Sequence, residues 1–147
     1  MESTSRAIIL KEDEKGKYFV SIKRTKYRGD NEYIYYTFPG GHVEENETFE
    51  ETLIREVKEE LGIEVLVISE FEYLFNKDLN RNEKFYLCEH KSGIIGTGTG
   101  PEWTNVDIKK YGKYEIKRIY LNEIKYYNIL PKEIASKLEK GMSIIFD

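Results

Sequence analysis

The stretch from Thr48 to Gly62 carries both ends of a helix and the face that must be buried. Thr48 is a good N-cap and Glu51 stands three residues later, the pairing of a capping box. Gly62 stands where a left-handed C-cap belongs. Between them Phe49, Leu53, Val57 and Leu61 recur every four residues and form one apolar stripe. A helix with one apolar stripe needs a surface to cover it, and the flanking segments read as strands. Arg6–Leu10 and Tyr18–Arg24 are strand-like runs separated by the polar KEDEKGK, which reads as a hairpin. Tyr33–Phe38 is aromatic and β-branched, and it stops at Pro39-Gly40-Gly41. Glu64–Phe75, Lys84–His90 and Tyr114–Leu121 are further expected strands, and Gly93–Gly100 is a glycine-rich loop. Pro131–Met142 opens with Pro in a plausible first turn and closes at Gly141, so a second helix is expected there. Strands on both sides of the central helix point to an α/β chain with a mixed sheet and helices packed on it.

The chain has 147 residues, enough for one domain with a real core, and it shows no repeat or Pro-rich linker. A single domain over 1–147 is expected. Charged residues make up 34%, but 14% is aromatic, which a disordered chain would lack. No apolar run approaches the roughly 20 residues of a membrane span. The start, MESTSRAIIL, lacks the basic-then-apolar pattern of a secretory signal. A lone Cys88 cannot form an internal disulfide and fits a reducing compartment, so a cytoplasmic location is expected. One Cys with two His argues against structural zinc. The net charge of -4 argues against general nucleic-acid binding.

The chemistry lies on the central helix. At about 100° per residue, Glu56, Glu59 and Glu60 fall within an arc of roughly 100°. None has a Lys at i+4, and Arg55 can reach Glu59 or Glu51 at four-residue spacing, so one cation is available for the cluster. The arc borders the apolar stripe, where repulsion between carboxylates grows as the dielectric falls. An acidic run on a helix is often a solvated face. Here, however, a Pro-Gly-Gly turn precedes the helix, and glycines let backbone groups approach a ligand closely. A hard divalent cation such as Mg²⁺ would offset the repulsion, and it commonly joins carboxylates to substrate phosphates.

The whole segment Gly41–Ile63 resembles the Nudix box, G-x5-E-x7-R-E-U-x-E-E-x-G-U, where U is bulky and aliphatic. Gly41, Glu47, Arg55, Glu56, Val57, Glu59, Glu60, Gly62 and Ile63 fill every fixed place. Phe38-Pro39-Gly40 also looks like the family's lead-in. The resemblance implies a Nudix-type α/β/α sandwich with a mixed sheet between helices. It further implies a metal-dependent pyrophosphohydrolase that cleaves a diphosphate bond in a nucleoside diphosphate linked to another group, with Mg²⁺ or Mn²⁺. Glu56, Glu59 and Glu60 would be metal ligands, with a backbone carbonyl of Gly41 or Gly40. Arg55 would orient the carboxylates by forked hydrogen bonds, and Glu47 would support the loop or a further metal. The proton acceptor could be Glu59, Glu60 or a later glutamate such as Glu102.

Substrate contacts are less legible. Tyr35, Tyr36 and Phe38 could stack on a base or simply pack, with Tyr36 and Phe38 on one strand face. Arg24, Lys26 and Arg28 form a basic stretch that either meets phosphates or is a solvated loop, and Arg81 shares that ambiguity. The downstream proline of ADP-ribose hydrolases is missing from Asn76–Arg81. The NADH-type and coenzyme A patterns are absent too, and the diadenosine-polyphosphate tyrosine is not met cleanly. The alternatives are a non-catalytic nucleotide-binding Nudix-like domain, an isopentenyl diphosphate isomerase and an enzyme acting on triphosphorylated RNA. An intact set of glutamates, a strand-borne Cys88 and the acidic balance weigh against these in turn. Many family members are dimers, so a homodimer is compatible with the resemblance, although nothing in the chain specifies an interface.

Overall fold

A computed structural model describes residues 2–104 and 107–141. It divides into two compact units, Met1–Leu10 with Phe38–Thr104, and Lys11–Thr37 with Asn105–Asp147.

The first unit holds the central helix. Its sheet is built from the opening part of β1 (Glu2–Asp13), β4 (Gly40–His42), β5 (Ile63–Asn76) and β6 (Arg81–Gly93). β1 runs parallel to β6, from Glu2 beside Arg81 to Ile9 beside Cys88. β4 pairs antiparallel with β1, and β5 pairs antiparallel with β6 through a ladder interrupted by bulges. The sheet is therefore mixed. α1 (Phe49–Leu61) packs on β4 and β5. Leu53, Val57 and Leu61 are fully buried, as the stripe requires; each such burial is worth about 1.5–3 kcal/mol. Phe49 at the top of the stripe is only half-buried; its ring lies under the Lys84 ammonium, with Tyr73 edge-on beside it. The capping box forms as expected, with reciprocal bonds between Thr48 and Glu51, and Gly62 takes the left-handed C-cap at φ 78°. A short helix, α2 (Pro101–Thr104), follows the glycine-rich loop. Cys88 is buried, which pushes its thiol up to about 12.

The second unit is a sheet of β2 (Gly16–Arg28) between β3 (Asn31–Thr37) and β7 (Lys113–Tyr120), both antiparallel to it. A short helix, α3 (Ile108–Tyr111), precedes β7; a 3-10 turn (Leu121–Tyr126) and α4 (Lys132–Lys140) follow it. The hairpin between β1 and β2 is tighter than its polar sequence suggests. Both strands continue through the charged residues, and the turn narrows to Glu14-Lys15, where the Asp13 side chain accepts from the Lys15 N–H at 2.8 Å. Pro131 occupies the N-cap of α4 rather than its first turn. Met142, the expected end of that helix, lies outside the described residues. Among the described residues no helix is long and apolar enough to cross a membrane.

Candidate active site

The first unit places Gly41 on β4 and Arg55, Glu56, Val57, Glu59 and Glu60 on the neighbouring α1, with Glu47 in the turn before the helix and Gly62 and Ile63 just after it. The join between β4 and α1 is the Gly40 N–H, which donates to Glu60 Oε1 at 2.7 Å. Glu60 is 8% exposed. A buried carboxylate needs such a partner, because losing water without one costs several kcal/mol. The turn that carries Gly40 is itself held. Arg6, on β1, donates to the Phe38 carbonyl at 3.1 Å and more weakly to that of Gly40 at 3.4 Å. Burial lowers the Arg6 pKa, and the Glu60 charge opposes that shift.

Gly41 lies directly against Glu56. A Cβ at Gly41 would stand 2.6 and 2.8 Å from the two Glu56 oxygens. Only a glycine therefore lets this carboxylate lie on the strand backbone. Glu56 Oε1 also accepts from Arg55 Nη1 at 3.0 Å. Glu59 is held most loosely: its side chain is 42% exposed and meets Arg55 Nη1 at 3.5 Å.

The Arg55 fork is spent mainly on Glu47. Nε and Nη2 donate to the two Glu47 oxygens at 2.7 and 2.9 Å. Glu51, one of the two partners expected from spacing, is engaged instead in the capping box. Glu47 also accepts from Thr52 Oγ1 at 2.8 Å and the Glu44 N–H at 3.1 Å, which ties the Glu44–Glu47 turn to the helix. These donors, Arg55 foremost, hold the Glu47 carboxyl at about 2, and Glu47 in turn keeps Arg55 more firmly protonated than usual. The sign follows from linkage. With a folded pKa below the ordinary 4.5, Glu47 contributes stability in full above about pH 4.5 and loses it as pH falls through about 2. Glu47→Gln is therefore expected to flatten the dependence of the urea unfolding midpoint on pH between those values. An unchanged slope would contradict this assignment.

The donor set suits a hard cation: the carboxylates of Glu56 and Glu60 lie against the glycine backbone of β4, with Glu59 on the same helix and no sulfur or imidazole among them. Their present orientations serve other partners, Glu60 facing Gly40 and Glu56 facing Arg55. Among the described residues no three acidic, His or Cys side chains converge in a metal-ligating arrangement.

The substrate-contact candidates fare differently. Phe38 is fully buried and meets Phe85 edge-on, so its ring belongs to the core and offers no face to a base. The strand ends at Thr37, so Tyr36 lies within β3 and Phe38 just beyond it. Arg81 is also corrected: its Nε and Nη2 both donate to Glu83 Oε1, at 3.1 and 2.9 Å, and Glu83 is 3% exposed. The pair is structural, with Thr4 and Asn76 completing the partners of Glu83. Arg24 belongs to the second unit, donates to the Tyr111 carbonyl at 2.8 Å and lies over the Tyr114 ring at 3.6 Å. Tyr36, in the same unit, meets Tyr127 edge-on. The side chain of Glu102 lies outside the described ones. Two further residues support the site: Arg6, whose signal in the sequence is a lone cation at the head of an apolar strand, and Trp103, which has no local sequence signal and whose indole N–H donates to the Glu60 carbonyl.

A model of the NUDIX domain matches residues 2–109. No curated protein matches the chain by sequence. Among solved structures, the E. coli ORF135 protein is similar at 21% identity and a TM-score of 0.65, covering 99% of this chain and 91% of that one. The MutT protein of Methanosarcina mazei Go1 is similar at 18% identity and 0.66, covering 99% and 96%. An ADP-ribose pyrophosphatase of Streptococcus suis is similar at 16% and 0.62, covering 99% and 92%. At these identities the likeness is one of fold, the α/β/α arrangement around a mixed sheet.

Proposed function

Since the chain belongs to the Nudix hydrolase family, we propose that it hydrolyses a diphosphate bond in a nucleoside diphosphate linked to another group. The observation that supports this reading is the Gly40-to-Glu60 bond, which with the close approach of Glu56 to Gly41 brings two of the helix glutamates against a glycine backbone. Glu56, Glu59 and Glu60, with a carbonyl of Gly40 or Gly41, would hold Mg²⁺ or Mn²⁺. Such a cation, when bound, screens the phosphate charge and favours ionised water. Glu60, buried and fixed, keeps its charge at a set position. Glu59, more exposed and loosely held, has the freedom to accept a proton from water. Arg55 and Glu47 keep the helix start and the preceding turn in place. We take both units as parts of one domain, because the family match runs from residue 2 to 109 and draws on each. A cytoplasmic location is consistent with the single, buried Cys88.

The similar structures include a MutT, a UDP-X diphosphatase and an ADP-ribose pyrophosphatase, and that spread supports a substrate class rather than one compound. The test is a screen of nucleoside triphosphates, their oxidised forms, nucleotide sugars and dinucleotides, with Mg²⁺ or Mn²⁺ and a coupled phosphate readout. Release of phosphate or a nucleoside monophosphate from at least one group is expected. Inertness toward all of them would reject the proposal.

A further inference from the structure

The glycine-rich loop has no part in the chemistry above, yet it makes close contacts with the helix that carries it. An α-helix leaves its last four carbonyls without intrahelical donors. In α1 one of these, Lys58, accepts from its own cap, the Gly62 N–H, at 2.9 Å. The next three all receive donors from the segment 96–103. Glu59 O accepts from the Gly100 N–H at 2.9 Å, and Leu61 O from the Gly96 N–H at 3.0 Å. Glu60 O accepts from Trp103 Nε1 at 2.6 Å. The loop can approach this closely only because position 98 lacks a side chain: a Cβ there would collide with the carbonyl oxygens of Glu59 and Glu60. These contacts also act electrostatically. Carboxylates near a helix C-terminus meet the negative end of its dipole, and three added donors offset that field where Glu59 and Glu60 stand.

We propose that Trp103 is a positioning residue, whose indole N–H, together with the Gly96 and Gly100 amides, clamps the carbonyl end of α1 and so sets the placement of Glu59 and Glu60. The role of those glutamates rests on the hydrolase reading; the clamp itself does not. Trp103 is the chain's one tryptophan, so its emission reports the clamp without a label. In the wild-type protein, Mn²⁺ binding at the glutamates is expected to shift that emission with the midpoint of metal uptake measured by electron paramagnetic resonance.

The variant test is Trp103→Phe, which keeps a ring and removes the donor. Hydrogen exchange at the Gly96 and Gly100 amides should speed up about three- to tenfold, the range set by one lost hydrogen bond. The Thr52 amide, bonded to Thr48 at the other end of the helix, should not change. Mn²⁺ affinity should weaken by a similar factor. Unchanged exchange at Gly96 and Gly100 would overturn the clamp. Faster exchange with unaltered Mn²⁺ affinity would overturn the positioning role. Should the variant fail to fold, Mn²⁺ uptake by wild type without any change in Trp103 emission would overturn that role equally. A wild-type protein that takes up no Mn²⁺ even with nucleotide present would reject the hydrolase reading, while the exchange comparison would still decide the clamp.

Discussion

Glu60→Gln is expected to lower turnover by about 10²–10⁴-fold, the range seen when a positioned proton-transfer or charged group is lost, and Glu59→Gln to do so by a comparable factor. The substitution is isosteric, and the amide oxygen can still accept the Gly40 N–H that holds Glu60 in place. The backbone contact should therefore survive, while some stability is lost because the Glu60 charge no longer offsets the burial of Arg6; the loss of turnover is chemical where the variant is folded at the assay temperature. The Glu59 side chain is partly exposed and only loosely paired with Arg55, which makes its replacement still less disturbing. Steady-state rates at saturating Mn²⁺, with circular dichroism as the folding control, measure the effect. Near-wild-type turnover in both variants would reject the roles given to them.

Gly40→Ala should produce the largest loss of stability. Gly40 has φ 149°, a conformation that L side chains rarely adopt, and a Cβ there would collide with the Ser5 carbonyl on the paired strand. The obstacle is backbone, so no rotamer change relieves it. Moving Gly40 would break its pairing with Arg6 and withdraw the donor from buried Glu60. A cost of about 3 kcal/mol or more is expected, combining strain with an unsatisfied buried charge. Gly16→Ala is the matched control, because Gly16 also has a positive φ, 126°, but open space around it; its cost should stay near 1–3 kcal/mol, roughly that of strain alone. Urea unfolding of both variants separates the two terms, and equal costs would contradict the collision.

The sequence made α1 legible to the residue because both of its ends are written in local chemistry: Thr48 with Glu51 at the start and Gly62 at the finish. The burial of Leu53, Val57 and Leu61 follows from the same periodicity. The strands run longer than their apolar cores, since charged residues such as Lys11 and Glu12 continue β1 through backbone bonding that composition does not reveal. The short strand β4 is not legible in the sequence, because two glycines carry no strand signal and its pairing with β1 is long-range.

In the site, the identity of the acidic residues was legible, but their partners were not. The Arg55 fork closes on Glu47, eight residues away across a turn, where helix spacing alone pointed to Glu59 or Glu51. Arg81 and Phe38 were drawn toward the substrate by residue type, whereas a buried Glu83 and a core Phe85 claim them. Trp103 lies 43 positions from the carbonyl it caps, a separation no local pattern can bridge.

The most direct test of the central claim is hydrolysis in H₂¹⁸O with the best substrate of the screen across a Mn²⁺ titration, with the products read by mass spectrometry. The account predicts ¹⁸O in one phosphate product and a rate that rises with Mn²⁺ and disappears with EDTA. Turnover indifferent to EDTA, or product without ¹⁸O, would contradict it.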